Sequence, residues 1–236
     1  RELSAHLRRT DQLASLGTFA LGLAHELRNP LGAVKGLSQL LGLERHLPPR
    51  AAEYLGRMAQ EIDRVDGFVS QLLQLSERPI GPPTPTRLDE VLRQAVRDAR
   101  EELGPEWTAR ARLVDALTPT PPLWLERERL AAALAQIVKN AWHFTPPGGV
   151  ITLRSLPPGP AEAAALAVHN TGSAIAPHLR ERIFEPFFST GERSTGLGLT
   201  FAREIIVQNG GSLQVQVDAD GVAFVVRFGT DREAQS

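Results

Sequence analysis

Two features of this sequence could do chemistry together: an imidazole next to a carboxylate, and glycines that open a helix. His25 is followed directly by Glu26. A carboxylate touching one ring nitrogen can hold the tautomer that leaves the other nitrogen free as a nucleophile. Imidazole is about half neutral near pH ~6.5, so it needs little activation. Taken alone, the residues suit a solvated His-Glu pair on a helix better than a reactive histidine. Far along the chain, the string STGLGL (194–199) leads into a helical pattern. Glycines at a helix start let backbone amides approach a phosphate, and the helix dipole adds attraction. No GxxxxGK[ST] string occurs, which excludes a P-loop nucleotide site. Cysteine is absent, which excludes disulfides, thiolate catalysis and cysteine-based zinc sites.

Residues 1–76 must position His25, and they are patterned as a helical hairpin. Leu13, Leu16, Ala20, Leu23, Leu27, Pro30, Val34, Leu37 and Leu41 step by three and four, and Leu55, Met58, Ile62, Val65, Val69 and Leu72 repeat the pattern. That alternation is the seam of a left-handed bundle. The seam neighbours Leu23 and Leu27 leave His25 off the buried stripe. Pro30 removes a backbone hydrogen bond and is expected to kink the first helix. A turn is expected over 44–50, at Pro48-Pro49. Two helices alone bury little, so pairing of two hairpins into a dimeric four-helix bundle is expected.

The string ERPIGPPTPT (77–86) cannot continue a helix and reads as a domain linker. From 87 to 236 the pattern is mixed α/β. Helices are expected over 87–103, 126–144 and 196–208, with a helical turn from Pro177 into 180–184. Strands are expected over 108–113, 123–125, 150–156, 164–169, 213–217 and 222–228, the last two as a hairpin. The fold class is therefore α+β multidomain, a helical hairpin followed by an α/β sandwich.

Bulk properties narrow the function. Hydrophobic residues make up 42% and charged residues 22% of 236, enough for a core. The formal net charge of -1 gives no general pull toward nucleic acid or a membrane surface. No apolar run reaches the ~18–20 residues needed to span a bilayer, and no secretion signal opens the chain. Membrane contact by this segment is not expected. Beginning at Arg1 inside a helical pattern, the sequence is expected to continue an upstream sensor region.

The string AHELRNPL (24–31), with its lead-in LASLGTFALGL, closely resembles the phosphoacceptor box of sensor histidine kinases. The likeness implies that His25 takes the phosphoryl group, Glu26 is its acid/base partner, Arg28 lies by the site and Asn29 helps place a dephosphorylating water. Four further strings follow in the order shared by histidine kinases and gyrase-like ATPases. LAQIVKNAWHFTPPGG (134–149) resembles the family's asparagine box. It implies that Asn140 ligates Mg²⁺, with Gln136 where an earlier Asn is usual and His143 where a Lys often stands. HNTGSAI (169–175) resembles the Asp-x-Gly-x-Gly turn. It implies that Asn170, in place of Asp, receives the adenine amino group beside Gly172, with Ala174 at the second Gly.

FEPFF (184–188), ending in Phe188, resembles the hinge of an ATP lid, although the residues alone also suit plain core packing. STGLGL implies contacts from Thr195, Gly196, Leu197 and Gly198. Gly191 stands near the usual lid Lys, so Arg193 is the candidate cation for the γ-phosphate. The resemblance implies an ATP-dependent protein-histidine kinase, homodimeric and cytoplasmic, passing phosphate to a separate response regulator, with phosphatase activity toward it as a second expectation. Two alternatives are a gyrase-like ATPase and a non-catalytic dimeric adaptor with a degenerate ATP site.

Overall fold

The computed structural model describes residues 31–42, 48, 50–59, 62, 65, 82–188 and 196–230. By internal contacts the chain divides into two units, Arg1–Arg78 and Pro79–Ser236. In the first unit, 31–42 (α1) and 50–59 (α2) are helical. Their apolar seam is largely open within one chain: Val34 is 41%, Leu37 61%, Leu41 52% and Met58 46% exposed, while Ile62 is buried. The expected Pro30 kink and most of the 44–50 turn lie outside the described residues.

The second unit is a two-layer α/β sandwich. One layer is a five-stranded sheet in the order β2-β4-β5-β7-β6. Its strands are β2 (Arg112–Ala116), β4 (Val150–Leu156), β5 (Glu162–Thr171), β6 (Gly211–Val217) and β7 (Gly221–Gly229). Only the β2–β4 pair is parallel. The other layer is α3 (Leu88–Leu103), α5 (Arg127–Phe144) and α6 (Gly198–Gln208), with α5 packed between its neighbours. A short helix, α4 (Pro105–Thr108), follows α3. The apolar spacing of α3 buries Leu88, Val91, Leu92, Ala95, Val96 and Ala99 on one face, as a 3.6-residue period requires.

Three sequence expectations shift. The last residues of the expected 77–86 linker pair as a strand: β1 (Thr84–Arg87) runs antiparallel to β3 (Pro122–Leu125), with Pro85 opposite Trp124. A two-stranded ribbon has only edge strands, where the missing proline N–H is tolerated. The expected strand over 108–113 is instead α4 and then β2, because Pro105 presets the first helical turn after Gly104. The helix expected from Pro177 is two separate 3-10 turns, Pro177–Leu179 and Arg182–Phe184.

The start of α3 is capped from a distance. Arg87 at the N-cap supplies no side-chain hydrogen bond. Thr120 takes that place: its Oγ1 accepts from the Leu88 N–H at 2.9 Å and donates to Asp89 Oδ1 at 2.8 Å. The Thr120 N–H donates to the same carboxylate at 2.8 Å, and Arg93 Nη1 reaches Asp89 Oδ2 at 2.9 Å. Burial pushes the Asp89 carboxyl up, but the Thr120 and Arg93 hydrogen bonds and the Arg87 charge outweigh it and hold the pKa below 3.8. The carboxylate therefore stabilises the fold above its unfolded pKa, and the contribution disappears as pH falls through the lower folded value. Asp89→Asn should lose about 1.5–3 kcal/mol at pH 7, the scale of hydrogen bonds to a charged group. In urea denaturation series the gap to wild type should close below pH 3.8. An unchanged gap at acid pH would contradict this account.

Candidate functional site

The site is assembled around α5. Leu130, Leu134, Ile137, Val138 and Ala141 are buried along its inner face. That burial turns Gln136, Asn140 and His143 toward solvent: the first two are half-buried and the third is exposed. Spacings of four and three place them on one stripe. Among the described residues, the Asn140 amide has no hydrogen-bond partner and stays available. Lys139, beside it, is held by Glu102 of α3, with Nζ 2.8 Å from both carboxylate oxygens.

Helix α5 stops at Thr145, whose hydroxyl donates to the Ala141 carbonyl. The turn that follows meets the Asn170 loop. Gly172 has φ +76°, and a Cβ there would lie 2.6 Å from Pro146 Cγ. Only glycine supplies both the left-handed backbone and the close approach. Asn170 ends the buried part of β5 and is 2% exposed. Its Nδ2 donates to Ser173 Oγ at 2.7 Å. The amino end is thereby engaged and the carbonyl oxygen is left as an acceptor. Substitution of Asp by Asn at this position keeps the acceptor and gives up the charge. Ser173 was not singled out by sequence; a serine in a turn carries no signal until its partner is known.

The first turn of α6 completes the arrangement. Gly196 has φ +69°, and a Cβ there would fall 2.5 Å from the Phe187 carbonyl carbon. Phe187 itself lies in the left-handed region at φ 64°, and its N–H donates to the Gly196 carbonyl at 3.1 Å. Leu197 is fully buried and offers no side-chain cap. A helix start that its N-cap side chain does not cover is the kind of terminus that can receive an anion. A Cβ at Gly198 would lie 3.1 Å from Gln136 Oε1, so the α5 stripe and the α6 start are neighbours.

Within FEPFF, Phe184 is core, set edge-on to Phe224 at 6.4 Å. Phe188 is half-buried, with the Arg182 guanidinium 4.8 Å from its ring centre. Thr200 ties the segment to α6 by donating to the Phe184 carbonyl at 3.1 Å.

The structure thus brings Gln136 to Gly198 and Pro146 to Gly172, and sets Asn140 and His143 on the same stripe. Arg193 and Thr195, like His25, Glu26, Arg28 and Asn29, lie outside the described residues. Among the described residues, no three His, Cys, Asp or Glu side chains cluster as a metal site. A cation held by one amide oxygen together with substrate phosphates and water fits this donor set, and Mg²⁺ binds in that way.

Comparison with known proteins agrees with this geometry. Residues 15–79 match the model of the His Kinase A (phospho-acceptor) domain. Residues 126–232 match that of the histidine kinase-, DNA gyrase B-, and HSP90-like ATPase. The chain is 30% identical over 232 residues to the sensor histidine kinase ZraS of Salmonella typhi, covering 96% of this chain and 48% of that protein. It is 32% identical over 226 residues to the sensory histidine kinase/phosphatase NtrB of Escherichia coli O157:H7, covering 91% and 62%. The chain thus spans about half the length of ZraS.

Among solved structures, full-length ShkA in complex with AMPPNP aligns with TM-score 0.65 and 25% identity, over 92% of this chain and 47% of that one. The histidine kinase ThkA in complex with the response regulator TrrA shares the fold, with TM-score 0.66 and 24% identity over 98% and 66%.

Replacing Gly172 by Ala should lower stability by about 1–3 kcal/mol, the usual cost of a forced left-handed residue, and should weaken nucleotide binding as well. Shortening its neighbour, in Gly172→Ala/Pro146→Gly, should return part of the binding. Thermal melts with and without ATP would report both, and a neutral Gly172→Ala would refute the close-approach argument.

Proposed function

Because the chain belongs to the sensor histidine kinases, we propose that it binds ATP in the α/β unit and phosphorylates its own His25. The observation that carries this reading is the location of His25 inside the phosphoacceptor match 15–79, in the same chain as the ATPase match 126–232. The imidazole nitrogen attacks the γ-phosphorus, the bond to the β,γ-bridging oxygen breaks and ADP leaves. The ring proton passes to Glu26. The transition state is loose and highly charged, so positioning and electrostatics supply most of the acceleration.

The Asn170 carbonyl receives the adenine amino group. Gly196, Leu197 and Gly198 present backbone amides to the phosphates, with Thr195 and Arg193 completing the contact. Gln136 and His143 lie on the stripe that faces the triphosphate. Asn140 would hold Mg²⁺, which would neutralise phosphate charge there. The phosphate then moves from His25 to an Asp of a separate response regulator, the kind of partner ThkA holds in its solved complex. Asn29 places a water for the reverse duty, dephosphorylation of that partner; the similarity to NtrB, named a kinase/phosphatase, supports this second activity.

A homodimer is proposed through the hairpin, since the exposed seam residues Val34, Leu37, Leu41 and Met58 need a partner. No helix among the described residues is long and apolar enough to cross a membrane. The reading places this segment in the cytoplasm, where ATP is available.

Incubation with γ-labelled ATP and Mg²⁺ should give labelled protein whose phosphate is lost in acid and kept in base. His25→Gln should abolish the label while leaving nucleotide binding intact. Asn140→Ala should reduce labelling by about 100-fold, the scale seen when one electrostatic stabiliser is removed. Label that survives in His25→Gln, or ATP turnover without any protein label, would exclude the proposal in favour of a gyrase-like ATPase.

A further inference from the structure

His143 does not stand alone on its stripe. Its ring lies parallel to the Trp107 indole, with centroids 5.1 Å apart and planes 5° from parallel. Phe144 meets it edge-on at 5.9 Å. The Arg110 guanidinium sits over the same indole, 4.8 Å from the ring centre. Trp107 belongs to α4, a helix with no buried residue of its own, so the indole is not there to fill the core. It also lies outside the span 126–232 that matches the ATPase model.

The platform is fastened to the turn that follows His143. The Gly148 N–H donates to the Arg110 carbonyl at 2.7 Å, and the Arg112 N–H donates to the Gly149 carbonyl at 2.9 Å. The indole and the imidazole are therefore carried by segments that cannot drift apart independently. Stacking occupies the face of the imidazole and leaves the nitrogens on its edge available for hydrogen bonding. An exposed histidine would otherwise sample several rotamers, and each one immobilised on ligand binding costs affinity.

The geometry points to Trp107 as a positioning residue for nucleotide binding: its indole, overlaid by Arg110, pre-orients His143 so that the ring edge is presented to the phosphates. The inference rests on the proposed ATP site and adds a device to it from outside the matched domain. It also accounts for how a short, planar histidine serves where the family often has a long lysine. A lysine reaches its anion by flexibility, whereas an imidazole must be aimed.

The test is a double-mutant cycle on the 236-residue chain, with AMPPNP and Mg²⁺ titrated calorimetrically. Trp107→Ala should weaken binding by about 3- to 10-fold, the range expected from one aromatic pair. In a His143→Ala background the same change should have almost no effect, because coupled residues are non-additive. Trp107→Phe should restore binding to within about twofold of wild type, since a phenyl ring still offers a stacking face.

Should Trp107→Ala fail to fold by circular dichroism, Trp107→Leu runs the same cycle with apolar bulk kept and the π-face removed. An equal loss in both backgrounds, or a Trp107→Phe variant as weak as Trp107→Ala, would overturn the inference while leaving the ATP site standing. A wild-type chain that binds no nucleotide would overturn both.

Discussion

Burial of the inner face of α5 governs the rest of the site. Leu130, Leu134, Ile137, Val138 and Ala141 are each nearly or wholly withdrawn from water. The leucine, isoleucine and valine side chains among them contribute about 1.5–3 kcal/mol apiece. Rotating the helix to hide Asn140 would expose several of them. Gln136, Asn140 and His143 thus face outward as the geometric complement of a packed face, and no polar contact is needed to aim them. Helix α6 is bound to the same constraint. Asn209 at its end accepts from the Glu126 N–H through Oδ1 at 2.8 Å and donates to the Ile205 carbonyl at 2.9 Å. The start of α5 and the end of α6 are therefore fixed by one buried amide.

Around that frame, close approaches do what side chains elsewhere would do. Gly172 lies against Pro146, Gly196 against Phe187, and Gly198 beside Gln136. At two of these, Gly172 and Gly196, the backbone is also left-handed. Shape rather than charge holds the turns around the proposed nucleotide site. The amide at Asn170, where a carboxylate is commoner, is consistent with this: Ser173 engages its amino group and leaves its oxygen as an acceptor. The acceptor that the proposed adenine contact calls for is therefore still present in the asparagine. That weakens the case for a degenerate site.

The two units differ in self-sufficiency. The α/β unit closes its own core, from Leu88 in α3 to Phe228 in β7. The described part of the helical unit leaves a row of large apolar side chains in water, and an open seam of that size is a surface made to be covered. The histidine proposed to react belongs to the incomplete unit, and the nucleotide groups to the complete one.

Much of this was legible in sequence because it depends on local physics. Helical periods, proline and glycine stops and alternating strands gave α3, α5, α6 and β4 through β7 to within a few residues, and the motif strings named the candidate groups in order. The hidden features all join distant parts of the chain. Thr120 caps α3 from 32 residues away, Pro85 becomes a strand by pairing with Trp124, Pro146 demands glycine at 172, and Trp107 meets His143. Each partner looks ordinary in its own window. Which of them meet is decided when apolar faces are buried together, and that choice is made by the whole chain at once. The sequence alone determined which chemical groups are present and on which kind of element; only the tertiary structure decided how they are aimed.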